Sequence, residues 1–63
     1  MSKTIYATGQ DDIRALIRLR RHLESGQFPS VTVIYIAPTG SPKRRRFTAK
    51  DIQAIRQRIC FSM

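Results

Sequence analysis

Seven basic side chains occur in two sets, and the spacing within each set suits the binding of anions. The first set is the uninterrupted run Lys43 to Arg46, which directly follows the turn-forming stretch Pro38 to Pro42. The second set is Arg14, Arg18 and Arg21, whose i, i+4, i+7 spacing aligns them along one side of a helix. Guanidinium groups stay charged and offer phosphate oxygens planar, bidentate donors. The predicted anion-binding residues are Lys43, Arg44, Arg45, Arg46, Arg14, Arg18 and Arg21.

The run Lys43 to Arg46 has two other interpretations. Four cations on the edge of a sheet would keep the chain soluble and discourage edge-to-edge aggregation. Residues 42–46, PKRRR, also have the composition of a nuclear-localisation signal, which would matter in a eukaryotic source. A phosphate loop is not indicated, because the spacing G-x-x-x-x-G-K-[ST] is absent and Pro42 lacks the N–H that such a loop uses.

The overall charge favours an anionic partner. Twelve Lys and Arg residues face four Asp and Glu residues, which gives a formal net charge of +8 and a pI near 11.2. A domain this basic attracts polyanions, and nucleic acid, DNA or RNA, is the commonest of them. The alternative is a small inhibitor or adaptor that binds an acidic surface of a partner protein, with the apolar Cys60–Met63 as an additional contact.

Few side chains remain for catalysis or for binding a metal. Asp11, Asp12 and Asp51 are placed where helix starts already account for them, and His22 has no obvious carboxylate partner. Cys60 and His22 do not form a recognised metal-ligand spacing. We therefore expect a protein that is not an enzyme and that uses no metal and no cofactor.

The same inventory bears on where the protein acts. No stretch approaches the ~20 apolar residues of a membrane span, and the N-terminal residues lack the apolar region of a signal peptide. A single unpaired cysteine, Cys60, suits a reducing compartment. We expect a cytoplasmic protein, or a nuclear one if its source is eukaryotic, without a membrane partner.

Three stretches have strand character. Lys3 to Thr8 is rich in β-branched and aromatic residues. In Val31 to Ala37, six of seven residues are apolar, and the lack of strict alternation predicts a central strand covered on both faces. The turn formers Pro38 to Pro42 can close a hairpin onto a short third strand, Lys43 to Phe47. The competing interpretation makes residues 38–46 one mobile loop.

The first helix is predicted from about Gln10 to Ser25. The pattern Thr8-x-x-Asp11 is typical of a capping box, and Gly26 suits the residue that ends a helix. The side chains predicted to form its apolar face are Ile13, Leu16, Ile17, Leu19 and Leu23. Arg20 falls within this arc, and we expect it at the edge, with buried methylenes and its guanidinium in water.

The second helix has three agreeing start signals. Thr48 can be the N-cap, Asp51 occupies the N3 position, and Phe47 and Ile52 can form a hydrophobic staple. The predicted apolar stripe of this helix is Ile52, Ile55 and Ile59.

The order of these elements predicts the fold. Sixty-three residues allow one domain, residues 1–63. The class is α+β, a small β-α-β-(β)-α domain with two helices packed on one face of a two- or three-stranded sheet. The other face of the sheet would be open to solvent, or covered by a second copy in a homodimer.

Overall fold

The computed structural model describes residues 2–61, which contain a three-stranded mixed sheet. The strands are β1 (Ser2–Tyr6), β2 (Ser30–Ile36) and β3 (Pro42–Thr48), and they lie in that order across the sheet. β1 runs parallel to β2, and β3 runs antiparallel to it. The third strand is therefore longer than the predicted Lys43 to Phe47.

Two helices complete the domain. They are α1 (Ile13–Ser25), which connects β1 to β2, and α2 (Ile52–Arg56), which follows β3 after a single 3₁₀ turn at Ala49–Asp51. Their buried side chains meet the same side of the sheet in one apolar cluster. The predicted α+β class, the element order and the packing of both helices on one face are confirmed.

Burial alternates along the central strand. Val31, Val33 and Tyr35 are buried beneath the helices, whereas Ile34 is half-buried and Ile36 is 45% exposed. Successive strand residues point to opposite faces of a sheet, so these two isoleucines lie on the face without helices. β2 is central, as predicted, but the expectation that it is covered on both faces is wrong for residues 2–61.

The buried apolar cluster draws on every strand and both helices. Its members are Ile5, Ala7, Ala15, Leu16, Leu19, Leu23, Val31, Val33, Tyr35, Phe47, Ile55 and Phe61. Removal of this apolar surface from water is the main force that holds the layers together, at about 25 cal/mol for each Å² buried.

Phe61 closes the core from the C-terminal side. Its side chain is 0% exposed. Its ring stacks on that of Tyr35 with 5.8 Å between centroids, and lies 6.3 Å from that of Phe47. The predicted partner contact Cys60–Met63 is therefore wrong for Phe61, which belongs to the core, while Ser62 and Met63 lie outside the described residues.

The N-terminus of α1 differs from the predicted capping box. Asp12 is the N-cap, and its Oδ1 accepts a hydrogen bond from the Ala15 N–H at 3.2 Å. Its Oδ2 accepts from the N–H of Thr8 at 3.0 Å and from the Thr8 hydroxyl at 3.2 Å. Thr8 thus donates to the cap instead of serving as one, and the helix begins at Ile13. The predicted end is confirmed, with Ser25 last and Gly26 left-handed at φ 74°.

The apolar face of α1 is narrower than predicted. Leu16, Leu19 and Leu23 are buried together with Ala15, but Ile13 and Ile17 are exposed. At about 100° per residue, the three leucines fall within about 60° of one another, and Ile17 lies about 100° beyond Leu16. The prediction that both isoleucines face the core is wrong.

Two hydrogen bonds connect the C-terminal segment to α1 and to the loop that precedes it. The Arg20 side chain donates from Nη2 to the carbonyl oxygen of Arg58 at 3.2 Å, and the Phe61 N–H donates to the Gln10 carbonyl at 2.6 Å. Arg20 lies at the edge of the apolar face, as predicted, but its guanidinium bonds to the protein. Its Nε is buried and has no acceptor within residues 2–61.

The second helical segment begins as predicted. The Asp51 carboxylate accepts from the Thr48 N–H at 2.8 Å, while Ile52 packs against the core. α2 ends at Arg56, so Ile55 is buried but Ile59 is 75% exposed. The predicted apolar stripe therefore stops at Ile55, because the helical spacing that would align Ile59 with it is lost.

Candidate functional site

A tight hairpin places the basic run on β3. The Gly40 N–H donates to the Ala37 carbonyl at 2.8 Å, and the Ala37 N–H donates to the Ser41 carbonyl at 2.8 Å. Gly40 has a φ of 89°, in the left-handed region that favours glycine. Pro38 suits the first central position of such a turn. This geometry is typical of a three-residue hairpin loop with a bulge. The hairpin prediction is confirmed, and the mobile-loop interpretation is wrong for this segment.

Two of the four cations project to the helix side of the sheet. Lys43 is the register partner of Tyr35, and Arg45 is the partner of Val33. Paired side chains lie on the same face of an antiparallel sheet, and both of these partners are buried beneath the helices. The guanidinium carbon of Arg45 lies 5.4 Å from the centroid of the Phe47 ring, within cation–π range. Arg45 therefore helps to cover the core.

The other two cations project to the opposite side. Arg44 is the register partner of Ile34, and Arg46 is the partner of Thr32. Both arginines are exposed. From the rise of a strand, their Cα atoms are separated by about 7 Å. The run that is continuous in sequence is thus divided evenly between the two faces of the sheet.

We call the surface opposite the helices the open face. Its side chains are Thr4, Tyr6, Thr32, Ile34, Ile36, Pro42, Arg44 and Arg46. It contains no Asp or Glu, so its charge is positive. Tyr6 is the most exposed apolar member, at 72%. The site residues predicted from the sequence did not include Tyr6, Ile34 and Ile36. Strand alternation relative to the core residues Ile5 and Val33 is the sequence signal that places them on this face.

The arginine set on α1 lies elsewhere. Arg14, Arg18 and Arg21 are exposed on the outer side of the helix, away from the buried leucines. Since α1 packs on the helix side of the sheet, the sheet itself separates these arginines from the open face. The structure therefore does not bring these three arginines together with Arg44 and Arg46.

The acidic side chains serve the helices. Asp12 caps α1, Asp51 accepts a hydrogen bond from the N–H of Thr48 at the end of β3, and Asp11 is exposed in the loop before α1. Glu24 forms an ion pair with Arg56 at 3.2 Å between the last turn of α1 and α2. None of the four belongs to a strand, so no strand position of the open face carries a carboxylate that would compete with an anionic ligand.

The cap of α1 makes its own carboxyl group more acidic. The backbone N–H of Thr8, and next that of Ala15, stabilise the ionised Asp12 carboxylate and hold its pKa below its usual value. These hydrogen bonds belong to the helix start and lie outside the open face.

The remaining candidates are accounted for by packing. The ring of His22 meets that of Phe28 edge to face at 5.4 Å. Residues 2–61 contain no enclosed pocket and no group of three or more side chains suited to hold a metal ion. Neither helix in this range has the length and apolar character needed to cross a membrane.

The chain was compared with known proteins by sequence and by structure. No protein-family model matches the chain, and no curated protein or solved structure is significantly similar to it.

Proposed function

We propose that this protein binds nucleic acid through phosphate contacts from Arg44 and Arg46 on the open face. One observation supports this most strongly. Both guanidinium groups project from an edge strand onto an exposed sheet face that has no acidic side chain. Guanidinium groups placed in this way are available to phosphate oxygens, which they bind bidentately.

The two arginines destabilise the unbound protein only slightly. Two unit charges about 7 Å apart repel by about 0.6 kcal/mol in water. Neither Arg44 nor Arg46 takes part in an ion pair within residues 2–61, so no internal partner has to be released when a phosphate binds. Binding to successive phosphates would relieve the repulsion and release condensed counterions.

The other basic residues have a supporting role in this proposal. Lys43 and Arg45 lie on the same edge strand and increase the positive electrostatic potential around it. Arg45 also contacts the Phe47 ring. The set on α1 adds to the long-range attraction that a net charge of +8 produces. A cytoplasmic location, where nucleic acid is accessible, forms part of the same proposal.

Fluorescence anisotropy with labelled oligonucleotides tests the proposal. The R44A/R46A double variant should bind every sequence less tightly, and its affinity should depend less on salt between about 50 mM and about 200 mM. The matched control is R14A/R18A, which removes the same charge from the outer side of α1 and should lose much less affinity.

Each contrary outcome has a definite meaning. Equal losses in the two double variants would show that net charge alone is responsible and would reject the open face as the site. Absence of binding to any nucleic acid would reject the function. The alternative partner would then be an acidic protein surface, detectable as a pull-down that survives nuclease treatment. In that alternative Phe61 is not available as an apolar contact, because its side chain is buried.

A further inference from the structure

The open face pairs its cations with an exposed aromatic ring. Tyr6 is 72% exposed, whereas the preceding residue of the same strand, Ile5, is buried in the core. An exposed tyrosine on a sheet face is a suitable platform for a nucleobase, because base–aromatic stacking needs only an accessible π-face.

The ring and the cations lie in register across the three strands. Tyr6 is the partner of Ile34 on β2, and Ile34 is the partner of Arg44 on β3. Strands are spaced about 4.8 Å apart, so the backbone positions of Tyr6 and Arg44 are about 10 Å apart. Long side chains at both ends shorten the gap, and a nucleotide can place its base on the ring while its phosphate reaches the arginine. Ile34, between them, offers an apolar surface to the sugar or base.

The chemistry of this face favours a single strand over a duplex. In a duplex the base faces are stacked on one another, and only phosphates and base edges are accessible. A surface built only for a duplex would gain little from Tyr6 and the partly exposed Ile34 and Ile36. In a single strand the bases are free to stack on side chains, and the phosphates remain available to Arg44 and Arg46.

A second copy of the chain is a poorer occupant of the same face. Two copies placed face to face would bring together four arginines from positions 44 and 46 with no carboxylate from either face. A net charge of +8 on each copy adds further repulsion. A polyanion with exposed apolar rings complements both the charge and the apolar character of the surface.

We infer that the open face binds single-stranded nucleic acid, with a base stacked on Tyr6 and the adjoining phosphates on Arg44 and Arg46. This inference rests on the proposed function and specifies its substrate. It assigns a binding role to a residue outside the basic run.

The test compares single-stranded and duplex oligonucleotides of equal length and sequence. The native chain should prefer the single strand. Tyr6→Ala should weaken single-strand binding roughly tenfold or more, whereas Tyr6→Phe, which keeps the ring, should retain most of the affinity. The matched control is Ile59→Ala, which truncates another largely exposed apolar side chain remote from the face and should leave affinity unchanged. Thermal unfolding of each variant checks that the fold is intact.

Intrinsic fluorescence gives a second readout that does not depend on stability. The chain contains two tyrosines and no tryptophan, and Tyr35 is buried. Stacking should therefore quench the emission of Tyr6, so that quenching persists in Tyr35→Phe and disappears in Tyr6→Phe. Quenching that survives in Tyr6→Phe would overturn the inference.

Two affinity results, like quenching that survives in Tyr6→Phe, would overturn this inference while leaving the proposed function standing. They are a preference for duplex and an unchanged affinity of Tyr6→Ala for single strands. Loss of binding in R44A/R46A combined with either of these would still support phosphate contacts on the open face. Failure of the native chain to bind any oligonucleotide, or a self-associated form that excludes the oligonucleotide in sedimentation experiments, would instead reject both proposals.

Discussion

Phe61 stacks on Tyr35 with ring planes inclined by 25° and centroids 5.8 Å apart. This contact joins the end of the described chain to the helix side of β2. Phe61→Ala should destabilise the domain by about 3–5 kcal/mol, because it removes a fully buried ring and leaves a cavity. A chain of this size has only about 3–9 kcal/mol of stability in total, so urea unfolding should show a large fall in the midpoint concentration. Ile59→Ala is the control and should change stability by less than about 0.5 kcal/mol. A change that small in Phe61→Ala itself would contradict its place in the core.

The hairpin depends on a glycine. Gly40 has a φ of 89°, where a Cβ atom is strained, although no neighbouring atom would meet it within 4 Å. Gly40→Ala should therefore cost roughly 1–2 kcal/mol through backbone strain alone. Ser41→Ala, which changes a neighbouring turn residue without that constraint, should cost much less. Urea unfolding measures both, and equal effects would argue against a left-handed Gly40.

The N-cap of α1 makes stability depend on pH. The folded-state pKa of Asp12 lies below its usual value, so the ionised carboxylate stabilises the fold. This contribution is fully present above the unfolded pKa, near pH 4, and is lost as the pH falls through the lower folded pKa. Asp12→Asn keeps an N-cap acceptor and should remove this part of the acid dependence.

Urea unfolding at about pH 6 and at a series of progressively lower pH values follows the loss of this contribution. Asp11→Asn, which removes the same charge from an exposed neighbour, is the control and should retain the acid dependence. An unaltered pH profile in Asp12→Asn would assign the acid sensitivity to another group.

Arg45 and Arg44 should respond differently to truncation. Arg45→Ala should destabilise the fold by about 0.5–1 kcal/mol, because it loses its contact with the Phe47 ring. Arg44→Ala should leave stability nearly unchanged and weaken nucleic-acid binding more than Arg45→Ala does. Thermal unfolding and anisotropy on the two single variants measure both quantities. A reversed ranking in affinity would move the site to the helix side of β3.

A carboxylate can be introduced into the open face without touching its cations. Thr32 is the register partner of Arg46, so Thr32→Glu should form a cross-strand pair with it and compete with phosphate. Thr32→Gln has the same shape without the charge and is the control. Anisotropy should show a loss of affinity for the glutamate variant only, and equal affinities would separate Arg46 from the ligand.

The element order could be predicted from the sequence because local signals agreed with one another. The staple around Thr48, the glycine after Ser25 and the turn formers before β3 each specify a boundary by local backbone chemistry. The start of α1 was mispredicted because the pattern Thr8-x-x-Asp11 fits a capping box that the structure does not form. Asp12 forms the cap because its two oxygens satisfy both Ala15 and Thr8.

The site was harder to predict because it depends on tertiary arrangement. Composition identified Lys43 to Arg46, and alternation along the predicted third strand places Arg44 and Arg46 on one face. Only the register of β3 against β2 shows that this face is the one without helices. The apolar character of β2 indicated cover on both sides, and one of those sides is the open face. Tyr6 lies on this uncovered face beside Ile34, and no charge pattern could have identified it.

The two halves of the open face are assembled over very different stretches of chain. β2 and β3 are joined through Pro38–Gly40, whereas β1 must pair Ser2 with Ser30 across the whole of α1. Hairpins close in about 1–10 μs, and pairings distant in sequence form more slowly because more chain entropy is lost before any contact is gained. Arg44 and Arg46 should therefore be aligned early in folding, and Tyr6 should join them last. A folding intermediate that resembles the isolated hairpin would attract phosphates before it could recognise a base.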